Sequence, residues 1–223
     1  MFHVEQQGNI AQLLVDGALQ VGCPLHEGAV IQLLTYVREL RQWNQKMNLT
    51  ALKEETEIVV TLFIDSLACG QVLSPIAKSA ILDVGTGAGF PGLPIKVVYP
   101  ELELTLLEPR VKKTSFLHHM IGTLNLETVT VLSQRIQDIA KIPEHHERYD
   151  RILIRALKME ECLSSLLPLL KPSGQAILCR SHSLDKKGEF LGLRLAREFF
   201  YDLPQGFGSR VLSILEPVSA SSR

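Results

Sequence analysis

The sequence predicts an α/β protein in which a mostly parallel, doubly wound sheet of about seven strands follows a helical segment. Two observations predict this class. From about residue 79 onward, short apolar runs of strand length alternate with longer runs of helix length. Before that point, apolar residues recur with helical spacing. We therefore divide the chain into a helical cap, residues 1–75, and a single compact α/β core, residues 76–223.

Three helices are expected in the cap. The first is a short amphipathic segment marked by Ile10, Leu13, Leu14 and Ala18. The second is longer and keeps the i, i+3, i+4, i+7 spacing with Val30, Leu33, Leu34, Val37 and Leu40. The third runs from near Glu55 to Val72 and points apolar side chains inward at Val59, Leu62, Phe63 and Leu67.

The core strands are predicted from short apolar runs bounded by turn residues. They lie at 80–84, 103–108, 128–132, 150–155 and 175–180, with two further extended runs at 199–203 and 210–215. Helices are expected at 111–124 and 159–170, and the tetrapeptide beginning at Lys171 marks a helix exit and turn. In such a sheet, ligands bind at the carboxyl ends of the strands, where the strand order reverses beside the first strand.

Composition limits the compartment and the partners. The chain has 46% apolar residues and four widely spaced cysteines without a C-x-x-C pair, which argues against a disulfide framework or zinc site and favours a reducing compartment. The N-terminus lacks the basic and apolar regions of a signal peptide, and the most apolar stretch, Ile58–Ile64, is too short to span a bilayer. We expect a soluble, cytoplasmic protein without membrane attachment.

Charge alone does not announce a nucleic-acid-binding protein, because the formal net charge is −1. A polyanion would have to meet a local basic patch. The candidate patches are Arg110, Lys112 and Lys113; Arg38, Arg41 and Lys46; and Arg180, Lys186 and Lys187 with Arg194 and Arg197. Each patch on its own is more typical of a solvated surface, although Lys112 and Lys113 open a helix beside the expected ligand face.

A glycine loop between the first strand and the next helix is the most informative motif. The strand Ile81–Val84 runs into Gly85-x-Gly87-x-Gly89, a helix opens near Pro91, and Glu108 ends the second strand. This arrangement forms the half-site for a nucleoside-bearing cofactor, since the glycines let the backbone approach the ligand and a carboxylate accepts both ribose hydroxyls. Dinucleotide enzymes would require glycine at position 90, which is Phe90 here, so the spacing favours S-adenosylmethionine (SAM).

Further motifs along the chain resemble the RsmG family, also called glucose-inhibited division protein B. The matching residues are Trp43-Asn44, Asn48-Leu49-Thr50, Asp65-Ser66, the loop from Asp83 to Gly92, Leu106-Leu107-Glu108-Pro109, Lys112-Lys113, Phe116-Leu117, Gln134 to Gln137, Arg155-Ala156 and Leu170 to Gly174. The resemblance implies a class I, Rossmann-like SAM-dependent methyltransferase that modifies N7 of a specific guanine in 16S ribosomal RNA. The implied partner is 16S rRNA or the 30S subunit, and we expect a monomer.

The resemblance also implies cofactor contacts, which map onto Gly85, Phe90, the pair Ile136-Gln137 and Arg155. Together with Gly87 of the loop and Glu108 at the ribose, these are the predicted cofactor-binding residues. An apolar side chain and backbone amides at 136–137 suit an adenine ring. Arg155 would anchor the methionine carboxylate or touch an RNA phosphate, and the sequence does not choose between these roles.

The sequence departs from the family pattern at three places. Thr61-Leu62 stand where the family usually carries an Arg-His pair, Arg180 replaces a lysine at the end of strand five, and Gln137 stands where an acidic residue is common. These departures affect the details of RNA docking more than cofactor binding.

No catalytic residue is assigned, because guanine N7 carries an exposed lone pair and needs no deprotonation before it attacks the methyl group. The chain also lacks Asn-Pro-Pro-Tyr after strand four, where Arg155-Ala-Leu-Lys158 stands, and lacks a Pro-Cys or Thr-Cys nucleophile. The alternatives are a SAM-dependent enzyme with another RNA, protein or small-molecule acceptor, a nicotinamide-dependent oxidoreductase, and a non-catalytic RNA-binding module.

Several side chains have two interpretations. Asp83 either orders the glycine loop or reaches the methionine ammonium, and Asp65-Ser66 either shape the substrate entrance or make a buried helix-to-loop hydrogen bond. Trp43 is more typical of a packing anchor than of a base-stacking platform. The adjacent pairs His118-His119 and His145-His146 favour surface or structural roles, so no metal site is predicted.

Overall fold

The computed structural model describes residues 2–73, 78–156, 159–184 and 189–218. The expected boundary between cap and core, at 75/76, falls outside the described residues, as do Leu157-Lys158 and the basic pair Lys186-Lys187. The division into cap and core therefore stays a prediction. Within the described part of the chain, no helix has the length and apolar character that crossing a membrane requires.

The cap consists of helices, as the sequence predicts. Helix α1 (Phe2–Gln20) and helix α2 (Glu27–Met47) are followed by one continuous helical run built from α3 (Glu55–Ile58), a π-helical segment (Val59–Ile64), α4 (Asp65–Leu67) and a 3₁₀ turn (Ala68–Val72). The run from Glu55 to Val72 confirms the third predicted helix. Its π-helical centre was not predicted, and such segments are frequent at functional sites.

The buried face of α2 differs from the predicted one. The buried residues are Ala29, Leu33, Tyr36, Val37 and Leu40. Leu33, Tyr36, Val37 and Leu40 also follow the i, i+3, i+4, i+7 spacing, whereas Val30 and Leu34 are only half-buried. Three of the five predicted residues are thus buried and Leu34 packs against the core, while Tyr36, which a count of aliphatic residues passes over, joins the buried stripe.

The core contains an eight-stranded sheet with the order β3-β2-β1-β4-β5-β8-β7-β6. The strands are β1 (Ala80–Val84), β2 (Glu103–Leu107), β3 (Val129–Leu132), β4 (Tyr149–Arg155), β5 (Leu170–Arg180), β6 (Glu189–Phe190), β7 (Leu193–Asp202) and β8 (Ser209–Pro217). Every pairing from β3 to β5 is parallel, and β8, β7 and β6 add antiparallel pairings. All the predicted strands are present, and β6 is a two-residue addition.

The helices of the core follow the predicted alternation. They are α5 (Gly92–Val98), α6 (Val111–Thr123), α7 (Ile136–Ile139) and α8 (Met159–Leu169), with 3₁₀ turns at Pro143–His145 and Pro204–Gly206. The predicted turn after α8 shows as a jump in register, since Tyr149 pairs with Leu170 and Arg151 next pairs with Gln175. The residues from Lys171 to Gly174 are therefore looped out of the β4–β5 ladder.

Two hydrophobic cores lie on the two faces of the sheet. One joins sheet residues such as Leu104, Leu106 and Ile177 to the buried stripes of α1, α2, α5, α6 and the π-helical segment. The other joins Leu82 and Ile152 to α7 and α8. The cap thus packs on the same core as one face of the sheet, which brings cap residues to the carboxyl edge of the parallel strands.

Candidate functional site

A cleft of about 490 Å³ lies where β1, β2 and β4 end. Its walls include the predicted cofactor residues Gly85, Gly87, Phe90, Glu108 and Arg155. Further lining residues that the sequence analysis did not assign to the cofactor are Leu49, Thr50, Leu62, Thr86, Ala88, Pro109, Arg110, Lys113 and Ala156. The cleft has the position expected for a ligand in a doubly wound sheet, beside the first strand.

The predicted pair Ile136-Gln137 is not among the described residues that line this cleft. Ile136 begins α7 and is buried in the core on the α7–α8 face of the sheet, together with Leu107. Gln137 is exposed. Because Leu107 directly precedes Glu108, the pair lies near the cofactor edge of the sheet, and its contact with an adenine ring stays a prediction.

The glycine loop is tied to the end of β2 by backbone hydrogen bonds. The amides of Gly85 and Thr86 both donate to the carbonyl of Leu107, at 2.8 and 3.2 Å. Gly89 has a φ of 95°, a conformation that disfavours residues with a side chain. The loop therefore turns sharply beside β2 and carries its backbone into the cleft wall.

Asp83 lies beneath the loop and is completely buried. Its Oδ2 atom accepts hydrogen bonds from the Thr86 hydroxyl at 2.5 Å and from the Gly92 amide at 2.8 Å. Its Oδ1 atom is buried without a hydrogen-bond partner among the described residues. One oxygen thus orders the loop, which is one of the two roles expected for Asp83, while the other oxygen is open to a donor.

Burial raises the pKa of Asp83 to about 6, and the bonds from Thr86 and Gly92 partly offset that rise. The positive charge of Arg155 also lowers this pKa, whereas the carboxylate of Glu108 raises it. Burial therefore destabilises the ionised carboxylate of Asp83, and a cationic ligand group beside it would offset this desolvation.

Gly92 shows how closely the loop packs on Asp83. A Cβ atom at Gly92 would lie 2.7 Å from the Asp83 Oδ2 atom and 2.9 Å from Leu106. We expect Gly92→Ala to lower the free energy of unfolding by about 2 kcal/mol, because an overpacked buried site must shift. Gly122→Ala is the matched control in α6, where a Cβ atom would meet nothing within 4 Å.

The free energy of unfolding of Gly122→Ala should rise by up to about 1 kcal/mol, because alanine has the higher helix propensity. Urea denaturation should therefore show opposite changes in stability for the two variants. An unchanged urea midpoint for Gly92→Ala would contradict this prediction, because it would show that the loop accommodates the Cβ atom without loss of stability.

Glu108 is fixed at the cleft wall by two backbone amides. Its side chain is buried, with the residue 4% exposed, and its Oε2 atom accepts a hydrogen bond from the Gly87 amide at 3.0 Å. Its Oε1 atom accepts one from the Arg110 amide at 2.9 Å. Each carboxylate oxygen can accept more than one hydrogen bond, so the group keeps capacity for a ligand hydroxyl while it orients the loop.

Phe90 lines the cleft but buries most of its ring in an aromatic cluster supplied by the cap. The Tyr36 ring is stacked on it at a centroid distance of 5.2 Å, and the Phe63 ring meets it edge-on at 5.0 Å. Tyr36 also donates a hydrogen bond to the Ala88 carbonyl. Tyr36 was not predicted as a site residue, although its position three residues after Leu33 in the helical spacing was a usable signal.

Arg155 ends β4 and is held by the cap. Its Nη2 atom lies 2.8 Å from the Asp65 Oδ2 atom, and the Tyr201 hydroxyl donates to Asp65 Oδ1 at 2.6 Å. Arg155 also donates to the Thr61 carbonyl in the π-helical segment. Asp65 therefore makes buried hydrogen bonds, but they run from the helix to the strands β4 and β7 and not to a loop as expected, and they connect the cap to a side chain of the cleft.

The remaining candidate side chains differ in where they lie relative to the cleft. Trp43 packs against Phe116 with the ring centroids 5.4 Å apart, in keeping with a packing anchor. Lys113 lines the cleft and Lys112 is exposed. His119 lies 2.8 Å from the Glu39 carboxylate, and no cluster of three or more metal-binding side chains occurs among residues 2–73, 78–156, 159–184 and 189–218.

The strand order, the glycine loop and the two buried carboxylates define a class I SAM-dependent methyltransferase. Solved structures share this fold. A SAM dependent methyltransferase from Aquifex aeolicus aligns with a TM-score of 0.55 and 18% identity over 77% of this chain and 97% of its own. The protein MtNAS, in complex with MTA and tNA, aligns with a TM-score of 0.59 and 12% identity over 85% and 74% of the two chains.

The chain belongs to the GidB family, rRNA small subunit methyltransferase G, whose model matches residues 30–191. Ribosomal RNA small subunit methyltransferase G of Acetivibrio thermocellus is 35% identical over 210 residues, which cover 90% of this chain and 85% of the relative. The protein of the same name from a Roseiflexus species is 38% identical over 209 residues, with 93% and 84% covered.

Proposed function

We propose that this protein transfers the methyl group of SAM to N7 of one guanine in 16S ribosomal RNA. The observation that carries the proposal is the cleft at the ends of β1, β2 and β4, walled by the glycine loop and Glu108, in a chain of the rRNA small subunit methyltransferase G family. A methyltransferase with another RNA, protein or small-molecule acceptor is the alternative. The named relatives come from bacteria, which supports a cytoplasmic place of action.

The residues of the cleft fit SAM by the chemistry of their donors and acceptors. Glu108 presents carboxylate oxygens to the ribose hydroxyls. Asp83 lies buried beneath the glycine loop, and its Oδ1 atom, which has no hydrogen-bond partner among the described residues, suits the methionine ammonium. Arg155 borders the same cleft and suits the methionine carboxylate, while its link to Asp65 fixes its position. When bound, SAM supplies an electrophilic methyl group on a sulfonium.

Methyl transfer to guanine N7 requires that the protein align N7 with the methyl group of SAM. It requires no general base, because N7 attacks with its own lone pair. The two buried carboxylates are in keeping with this view, since Glu108 in the cleft wall and Asp83 beneath the loop both accept hydrogen bonds from backbone amides of the loop. Arg110 and Lys113 lie at the cleft and place positive charge where the phosphates of an RNA strand would approach. Rate is then expected from positioning the guanine against the methyl group.

We expect SAM affinity to fall about fourfold between pH 7 and pH 5.5, because the carboxylate of Asp83 titrates with a pKa of about 6. A protonated Asp83 no longer attracts the methionine ammonium. The sign for folding is the opposite: since the pKa is raised above its usual 3.8, the free energy of unfolding falls as pH rises from about 4 to about 6. Calorimetric SAM titrations across this range measure the first effect.

Asp83→Asn serves as the control, because the amide oxygen can still accept from Thr86 and Gly92 but carries no charge. Its SAM affinity should be weaker and nearly independent of pH. An equal pH dependence in both proteins would assign the titration to another group.

Methyl transfer from radiolabelled SAM tests the proposed function directly. Deproteinised 16S rRNA and 30S particles that lack the modification are the acceptors, and the labelled base is then mapped. Label at N7 of a single guanine is the expected result. Bound SAM without transfer to either acceptor would retain the class of enzyme and overturn the proposed substrate. The expected monomer can be checked by sedimentation of the same preparation.

A further inference from the structure

A second cavity, of about 850 Å³, lies in the cap beside the cofactor cleft. The two cavities share Thr50 as a lining residue. Thr50 belongs to the loop Asn48–Lys53, here called the ridge, and the second cavity is called the groove. Leu49 of the ridge lines the cleft, whereas Asn48, Ala51, Leu52 and Lys53 line the groove. The ridge is therefore the wall between the two.

The ridge is held by hydrogen bonds to the last turns of α2. The Asn44 side chain accepts from the Thr50 amide at 2.9 Å and donates to the Leu52 carbonyl at 3.4 Å. The Thr50 hydroxyl accepts from the Leu52 amide at 3.2 Å. These contacts give a structural role to the motif Trp43-Asn44…Asn48-Leu49-Thr50, which the cofactor site alone does not explain.

Positive charge and amide groups dominate the polar lining of the groove. Arg38, Arg41 and Lys53 line it, and among the described residues Glu55 is its one lining carboxylate. Glu55 pairs with Arg41 at 2.9 Å, and Glu39, which does not line the groove, lies 3.6 Å from Arg38. The side chains of Arg38 and Arg41 are 63% and 48% exposed. Their charges are thus accessible in a chain whose net charge is −1. The groove also carries the amide side chains of Gln42, Asn44, Gln45 and Asn48.

We propose that the groove binds the unpaired RNA strand that flanks the target guanine, with Arg38 and Arg41 at its phosphates. Guanidinium groups bind phosphate oxygens, and amide side chains donate to and accept from the edges of unstacked bases. A strand that crosses the ridge at Thr50 passes directly from the groove into the cofactor cleft. This inference rests on the proposed function, since it assumes an RNA acceptor.

The test compares wild-type protein with Arg38→Gln/Arg41→Gln, using deproteinised 16S rRNA. Loss of two phosphate contacts should reduce the slope of log binding constant against log salt concentration by about 1.4, at about 0.7 per single-stranded phosphate. The KM for the RNA should rise about fivefold, while SAM affinity stays unchanged because neither arginine lines the cofactor cleft.

Lys171→Gln is the matched control. The Lys171 side chain is 40% exposed and pairs with the Asp150 carboxylate at 2.7 Å, so its replacement also frees one carboxylate. It follows Leu170 at the amino ends of β4 and β5, at the edge of the sheet opposite the cleft. Its salt slope and KM should match those of the wild type.

Crosslinking of 4-thiouridine-substituted 16S rRNA gives a second measurement, and the crosslinked peptide should fall within residues 38–53. If the double variant behaves like the Lys171→Gln control while the wild-type protein methylates rRNA, the RNA-binding role of the groove is overturned and the proposed function is kept. If the double variant methylates deproteinised rRNA normally but 30S particles poorly, the groove contacts a ribosomal protein and the inference is contradicted. A wild-type protein that neither binds nor methylates rRNA would remove both proposals.

Discussion

Glu108→Ala is expected to weaken SAM binding at least tenfold. Two charge-assisted hydrogen bonds to the ribose would be lost, each contributing about 1.5–3 kcal/mol. The same carboxylate accepts from the amides of Gly87 and Arg110, so the variant also loses these two bonds, while the backbone bonds from Gly85 and Thr86 to the Leu107 carbonyl remain. Isothermal calorimetry with SAM measures the change, and circular dichroism establishes that the variant is folded.

Glu103→Ala is the control for this prediction, since Glu103 is an exposed carboxylate that begins the same strand. Its SAM affinity should equal that of the wild type. Glu108→Gln separates the two contributions, because the amide keeps one acceptor for the Gly87 amide but loses the charge. Unchanged affinity in Glu108→Ala would place the ribose contact elsewhere in the cleft.

Asp65→Ala is expected to lower the free energy of unfolding by about 3 kcal/mol, because removal of one partner from a buried ion pair leaves the other charge unpaired. Asp65 is 6% exposed and the side chain of Arg155 is 18% exposed. The variant also leaves the Tyr201 hydroxyl without its acceptor. Burial and the Asp65 charge raise the pKa of Tyr201, so this hydroxyl remains a protonated donor.

Urea denaturation of Asp65→Ala, Arg155→Met and the double variant measures this effect as a double-mutant cycle. The double variant should recover part of the loss, since it leaves no unpaired charge. Asp202→Ala is the control, because Asp202 is an exposed aspartate that also accepts a hydrogen bond from a hydroxyl, that of Ser209. Additive single effects would show that Asp65 and Arg155 contribute independently.

The Asp65–Arg155 pair also predicts a functional consequence. Arg155 lines the cleft, and its guanidinium is oriented by Asp65 and by the carbonyl of Thr61. A variant that breaks the pair should therefore lose SAM affinity as well as stability. The sequence left the role of Arg155 open between cofactor and RNA, and a loss of SAM affinity in such a variant would favour the cofactor.

Much of the core was predictable because its signals are local. Apolar runs of strand length predicted β1, β2, β3 and β4 nearly to the residue. The central strands β1 and β2 are buried on both faces and so give continuous apolar runs, and β3 keeps such a run although it lies at the edge of the sheet. The extent of β5 and β7 was underestimated. Most of their additional residues are polar or partly exposed, the exceptions being Leu170, Gly174 and Leu193, so hydrophobicity alone does not reveal these extensions. The short strand β6 is defined by its pairing with β7.

The site was predictable in part for a similar reason. The spacing Gly85-x-Gly87-x-Gly89, with Asp83 before it and Glu108 at the end of the next strand, predicted the loop and its carboxylates. Ile136 and Gln137 came from the resemblance, and the described cleft does not include them. Whether a side chain of α7 faces the cleft or the core between α7 and α8 depends on how this helix packs against the sheet. The sequence of so short a helix does not predict that packing.

By itself, the sequence determined the order of helices and strands, the cofactor loop and the family, because periodicity and motif spacing act over a few neighbouring residues. Only the tertiary structure decided which distant side chains come into contact, such as Tyr36 with Phe90 and Asp65 with Arg155. It also decided that the ridge separates the cleft from the groove. These contacts depend on how the cap packs against the sheet. That packing is set by the buried surfaces of many residues together, and no single stretch of the chain encodes it.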